Sequence, residues 1–192
     1  FNKTAIEVCE GQQFDMNFES QIDVSIDDYL KMIELKTAVL LACSLKMGAI
    51  IGGASKQDAN YIYEFGKNLG VAFQLMDDIL DLYGDPDKVG KQVGGDIIAN
   101  KKTYLLLKAK ELATGDLKKQ LEFSLSSKAL KKEAKIEKIT SIFNELKIKQ
   151  LAEKEMTLFY NTALANLDSI SVDNEKKIVF ENFAKGLMQR ES

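Results

Sequence analysis

The stretch Phe73-Gln74-Leu75-Met76-Asp77-Asp78-Ile79-Leu80-Asp81-Leu82-Tyr83 sets three carboxylates into a run that is otherwise almost wholly apolar. At 3.6 residues per turn, Asp77 and Asp81 leave a helix on one side, Asp78 stands beside them, and Gln74 lies one turn earlier. Phe73, Leu75, Met76, Ile79, Leu80 and Leu82 leave little of the circumference polar, and a helix apolar nearly all round is a buried one. Buried carboxylates need partners. Three like charges within about 5–6 Å of one another repel unless something positive lies between them. Carboxylate oxygens are hard donors and the chain has no His, so the natural counter-ion is Mg²⁺ rather than Zn²⁺. Mg²⁺ held by one or two carboxylates shares its other positions with water and phosphate, which makes this face a candidate diphosphate–metal site. The plainer reading is the solvated side of an acidic helix, and pattern alone leaves the two level.

Working outward, Ser55 followed by Asp58 reads as the cap of the helix that carries the cluster, which then runs to about Tyr83. Gly66 and Gly70 inside it are expected to be sites of close helix packing. Upstream, residues 1–18 read as a helix with Gly11-Gln12 and Asp15 in its C-terminal part. Ser25, with Asp27 and Asp28 suited to the positive end of the helix dipole, opens a helix over roughly 26–51 that Gly52-Gly53 ends. Downstream, Lys101-Lys102-Thr103-Tyr104 leads into a Leu-rich helix ending near Thr114-Gly115. Four amphipathic helices follow, over roughly 116–126, 131–146, 148–167 and 173–189. Their lysines, Lys118, Lys119, Lys131, Lys132, Lys135 and Lys138 among them, read as a solvated face.

The segment Gly84 to Gly95 is the one loop with distinctive chemistry. As a P-loop it fails: it has one residue too many, Gln92 stands where Ser or Thr belongs, and a helix precedes it. As a calcium loop starting at Asp85 it places Asp87, Gly90 and Asp96 well, but Val89 occupies a ligand position and Asp96 replaces the bidentate Glu.

Composition narrows the class further. With 192 residues, 45% hydrophobic, 29% charged and a single proline, the chain suits one all-helical domain, 1–192, with a sizeable core. A net charge of -3 gives no electrostatic case for nucleic acid. Lack of His removes Ser-His-Asp, Cys-His and His-ligated metal chemistry, leaving carboxylate, lysine, hydroxyl, amide and hard-metal chemistry. Cys9 and Cys43 form no C-x-x-C and are expected to be small core residues in a reducing compartment. No apolar run approaches the ~18 residues that a membrane-crossing helix needs. There is no basic-plus-apolar leader, and the chain begins at Phe1, which reads as a fragment or processed chain.

These pieces share one chemistry. Lys36, Lys91 and Lys101 offer compact positive charges for phosphate oxygens, Thr37 and Gln74 offer uncharged dipoles, and Asp77, Asp78 and Asp81 offer metal ligands. Four segments carry a family resemblance: Gly11-Gln12-x-x-Asp15; Lys36-Thr37; Phe73-Gln74-x-x-Asp77-Asp78-x-x-Asp81; and Gly90-Lys91-x-x-Gly94-x-Asp96-x-x-x-x-Lys101-x-Thr103-Tyr104. Their order and spacing, over most of residues 5–107, resemble the trans-isoprenyl diphosphate synthases. The resemblance implies an all-α helical bundle of the isoprenoid synthase type, lacking its N-terminal helices. It implies a prenyltransferase, cytoplasmic and homodimeric, that condenses isopentenyl diphosphate with an allylic diphosphate.

Carried over by position, Asp77 would bind Mg²⁺ directly, with Asp78 and Asp81 completing the second aspartate-rich motif. Lys36 and Lys91 would hold the allylic diphosphate and Lys101 would support the phosphates. Thr37 and Gln74 would face the nascent carbocation, while Gln12, Asp15 and Phe73 would line the substrate site. Two departures stand out. Leu105 occupies the place of the usual Pro, and one aspartate cluster is present where the family uses two, Asp27-Asp28-x-x-Lys31 being no substitute. The expectation is therefore a C-terminal portion, inactive alone. The competing reading is a non-catalytic helical partner or regulatory subunit of such a synthase.

Overall fold

The structure, a computed structural model, describes residues 1–85, 93–127 and 129–188. Among the described residues there is no strand, and the helices follow in order: α1 (Asn2–Ser20), α2 (Ile26–Ile33), a π-helical turn (Glu34–Ala38), α3 (Val39–Ile51), α4 (Lys56–Tyr83), α5 (Gly95–Ile98), α6 (Tyr104–Leu112), α7 (Gly115–Ser126), α8 (Lys132–Glu145), α9 (Ile148–Asp168) and α10 (Asn174–Met188). No helix among them is long and apolar enough to cross a membrane.

Helix starts follow the capping chemistry of the sequence. The Ser25 hydroxyl accepts the Asp28 amide at 3.0 Å and the Asp28 carboxylate accepts the Ser25 amide at 3.0 Å, a complete capping box on α2. Ser55 caps α4 in the same sense, accepting the Asp58 amide at 3.0 Å. Asp58 also reaches across the molecule, its Oδ1 accepting the Ser171 amide at 2.8 Å, which ties the start of α4 to the α9–α10 connection.

Helix α4 is the axis of the molecule. Its 28 residues make a rod about 42 Å long. It packs most extensively on α9 and α3. Its two halves serve two apolar clusters. Ile62, Phe65 and Leu69 pack with Leu167 and Ala184 toward the C-terminal helices. Leu75, Ile79 and Leu82 pack with Tyr29, Met32, Leu106, Ile139 and Phe143 in the larger core. The apolar circumference of α4 thus has helices to meet on several sides, as a buried helix requires. Gly66 is a packing glycine as expected: a Cβ there would lie 3.0 Å from the Ala42 Cα on α3. At the far end, the buried Lys177 ammonium donates to the Asp168 carbonyl at 2.6 Å, satisfying the C-terminus of α9.

Three expectations are revised. The helix over 26–51 is one continuous rod but carries an inserted π turn at Glu34–Ala38, where the Val39 amide bonds back to the Glu34 carbonyl. Cys9 is exposed on α1 and only Cys43 is a core residue. Lys135 does not belong to a solvated face, because its ammonium donates to the Asn100 side chain at 2.7 Å and to the Ile98 carbonyl at 3.2 Å.

Candidate functional site

The three carboxylates on α4 are not equivalent. Asp78 points into the core and is 4% exposed. Its Oδ2 accepts the Tyr29 hydroxyl from α2 in a very short hydrogen bond and the Tyr104 amide from the start of α6 at 3.4 Å. One side chain thereby joins three helices. Burial pushes its carboxyl up to about 7, against the Tyr29 and Tyr104 bonds and the Lys101 charge, which pull the other way. Burial and the adjacent Asp78 hold the Tyr29 phenol well above its ordinary range.

A pH dependence follows from that placement. Between about 4 and about 7 the folded chain holds a proton on Asp78 that the unfolded chain has released. The folded state binds more protons there, so its stability falls as pH rises through this window. The loss is at most about 4 kcal/mol. The melting temperature of the metal-free chain, measured relative to Asp78→Asn, is expected to decline from pH 4 to pH 7. A flat difference would remove the buried carboxyl from the account.

Asp81 faces the other way along the chain. Its Oδ2 accepts the Asp96 amide at 3.1 Å, and its carbonyl accepts the Gly94 amide at 2.7 Å, so it anchors the short helix α5. Burial, then the Asp96 charge, raises its carboxyl above the ordinary range. Asp77, like Asp81, is partly exposed on the same helix.

Basic and neutral partners come from four segments. Lys36, within the π turn, pairs with Asp15 of α1 at 2.5 Å. The Thr37 hydroxyl lies 3.5 Å from Gln74 Oε1, linking the π turn to α4. Lys101 lies 3.7 Å from Asp96. Burial pulls the Lys101 ammonium down, but Asp96, Asp78, Asp15 and Asp81 together hold it above the usual lysine range. Lys102 ties the end of α1 to this loop by donating to the Phe18 carbonyl. A cleft of about 680 Å³ opens beside these groups, lined by Asp15, Phe18, Glu19 and residues Ala99 to Lys102. A separate cavity of about 10 Å³ touches Asp78, Asp81, Asp96, Lys101 and Thr103. It is the size of one water position.

The structure therefore draws together Asp15, Lys36, Thr37, Gln74, Asp78, Asp81 and Lys101 from well-separated parts of the sequence. Gln12 is exposed on α1, and Phe73 is partly buried on α4. Gly90 and Lys91, with the rest of 86–92, lie outside the described residues. Three participants go beyond the roles that the sequence suggests: Asp96, given a role there only as a calcium-loop position, pairs with Lys101; Lys102 holds the end of α1; and Tyr29 lies 49 residues from its partner with no local signal.

The bundle thus presents carboxylates, ammonium groups and one hydroxyl–amide pair around a central helix. The chain belongs to the polyprenyl synthetase family, whose model matches residues 1–143. It is 39% identical over 173 residues to the geranylgeranyl diphosphate synthase of Saccharolobus solfataricus, covering 90% of this chain and 52% of that protein. A crystal structure of a geranylgeranyl pyrophosphate synthase superposes with a TM-score of 0.90 at 43% identity, covering 100% of this chain and 60% of the other. The geranylgeranyl pyrophosphate synthase of Corynebacterium glutamicum, crystallised with isoprenyl diphosphate and magnesium, matches with a TM-score of 0.86 at 28% identity, covering 97% of this chain and 53% of that one. The chain spans about half the length of the curated relatives it matches.

Proposed function

We propose that this chain supplies the second aspartate-rich half of a trans-prenyltransferase that joins isopentenyl diphosphate to an allylic diphosphate, giving a longer polyprenyl diphosphate. The observation that carries the reading is the convergence on α4 of the Lys36–Asp15 pair, the Thr37–Gln74 contact and the Asp81–Asp96–Lys101 group, beside Asp77. A structural subunit has no physical need for that set. The relative crystallised with isoprenyl diphosphate and magnesium supports the ligand class.

The donor set fits Mg²⁺. Among the described residues no group of three or more His, Cys, Asp or Glu side chains forms a ready-made metal cage. Asp78 is committed to Tyr29 and Asp81 is tied to α5. That pattern suits a hard ion taken by one or two carboxylates and completed by water and phosphate, which is how Mg²⁺ is commonly held. Asp77 would hold it directly, with Asp81 alongside and Asp78 completing the motif from behind. When bound, Mg²⁺ supplies charge neutralisation to the departing diphosphate.

The remaining work falls to this chain's own groups. Lys36 and Lys91 bind the oxygens of the allylic diphosphate, and Lys101 adds a positive charge at the same end of the site. The Thr37 hydroxyl and Gln74 carbonyl turn fixed dipoles toward the carbon that loses the diphosphate, where positive charge develops. The diphosphate itself takes the proton in the final elimination. The matching family pattern also supports a homodimer. Because only one aspartate cluster lies in these 192 residues, the partner half of the metal clamp comes from outside them.

The single cluster favours a second reading, a non-catalytic helical partner of a synthase. Calorimetry separates the two. The complete synthase, titrated with a non-hydrolysable allylic diphosphate analogue, is expected to bind it at least tenfold more tightly with Mg²⁺ than without, about 1.4 kcal/mol. Binding that ignores Mg²⁺, or no binding, would favour the partner.

A further inference from the structure

We infer that Gly11 and Gly70 are positioning residues that clamp the π turn from opposite sides and thereby aim Lys36 and Thr37; the functional part of this rests on the diphosphate-binding reading above. A π turn inserts one extra residue into an α-helix, and such insertions are frequent at functional sites. Here the insertion, Glu34–Ala38, coincides with Lys36 and Thr37.

The flanking contacts explain how it persists. On one side α1 comes so close that a Cβ on Gly11 would lie 2.3 Å from the Lys36 backbone nitrogen and 2.7 Å from its Cα. On the other, a Cβ on Gly70 of α4 would lie 2.7 Å from the Ala38 Cα and 2.8 Å from its Cβ. Both obstacles are backbone or Cβ atoms, which cannot swing aside as a long side chain can. Any residue larger than glycine must move a helix or the turn. Polar contacts close the same two gaps. Asp15, one turn beyond Gly11, takes the Lys36 ammonium at 2.5 Å, and Gln74, one turn beyond Gly70, meets the Thr37 hydroxyl at 3.5 Å. Each neighbouring helix therefore brings one glycine for approach and, four residues on, one polar side chain for aim. That repeated i, i+4 arrangement separates a device for orientation from simple close packing.

Gly66 gives the necessary control. A Cβ there is also too close, 2.7 Å from Leu45 Cδ1 and 3.0 Å from the Ala42 Cα, but its neighbours lie on regular helix beyond the turn. The test compares Gly11→Ala, Gly70→Ala and Gly66→Ala in the 192-residue chain. It reads the melting temperature, the amide resonances of residues 34–38, and the affinity for inorganic pyrophosphate with Mg²⁺. Gly11→Ala and Gly70→Ala are expected to shift the resonances of the π turn and to weaken pyrophosphate by about tenfold or more, since small displacements of positioned groups carry such penalties. Gly66→Ala is expected to lower the melting temperature with affinity and π-turn resonances kept.

Unchanged resonances and affinity in the first two variants, or an equal loss in Gly66→Ala, would overturn the inference. If the first two do not fold, deletion of Glu34 takes their place. Removing the extra residue restores regular α register, and the deletion is expected to keep the helix content while losing pyrophosphate affinity. Retained affinity would count against the clamp. A wild-type chain that binds no pyrophosphate would contradict the proposed function instead, and the resonances alone would then judge the clamp.

Discussion

Asp77→Ala is expected to lower turnover of the complete synthase by about 10²–10³-fold while leaving its fold intact. The size follows from the role: a group that places charge against a leaving diphosphate acts where charge changes most in the transition state, and single preorganised groups of that kind are worth about 10²–10³ in rate. Little stability is at stake, because Asp77 is partly exposed on α4, where a polar interaction is worth about 1 kcal/mol or less, and Ala is the best helix former. Asp78→Ala is expected to behave differently. It leaves the buried Tyr29 hydroxyl and the Tyr104 amide without their shared acceptor, which costs about 1–3 kcal/mol per unsatisfied group. Adjacent residues of one motif should thus separate, one in turnover at constant melting temperature and the other in melting temperature. Steady-state kinetics at saturating Mg²⁺, paired with thermal melts, reads both. Near-normal turnover in Asp77→Ala would remove the residue from the chemistry.

The 192-residue chain alone is expected to give no Mg²⁺-dependent prenyl-chain growth. In the proposed mechanism a metal-bound diphosphate is gripped from two sides, and this chain holds one aspartate cluster. A diphosphate held from one side leaves part of its charge unneutralised at departure, and each 1.36 kcal/mol so lost lowers the rate tenfold. With several kcal/mol missing, turnover drops below detection although weak pyrophosphate binding remains. A radiolabelled isopentenyl diphosphate assay with an allylic co-substrate decides the matter. Labelled polyprenyl product from the purified chain would contradict the two-sided mechanism.

Much of this fold was legible because helices announce themselves locally. Ser25-Asp28 and Ser55-Asp58 mark helix starts by a hydrogen bond that forms within four residues, and both bonds are present. The apolar circumference of 73–83 foretold a buried central helix, and Gly66 and Gly70 foretold close packing. Long-range pairings left no such mark. Nothing around Tyr29 says that its hydroxyl will meet Asp78, so the spacing of the aspartates does not show that Asp78 is buried between helices while Asp81 anchors α5. The π turn was hidden for a related reason. One inserted residue shifts the apolar phase by a fraction of a turn, too little to break a helical pattern, while its cause lies in Gly11 and Gly70 on other helices. The exposure of Cys9 likewise depends on what covers α1, which residue type alone does not fix.

Both predictions rest on a hard cation and a diphosphate meeting at Asp77. Amide line broadening by Mn²⁺, in the presence of inorganic pyrophosphate, locates that meeting point directly on this chain. The account predicts broadening centred on residues 74–81 of α4 and reaching Lys101, and its loss in Asp77→Ala. Broadening centred instead on Asp27 and Asp28, or spread evenly over the acidic surface, would contradict it.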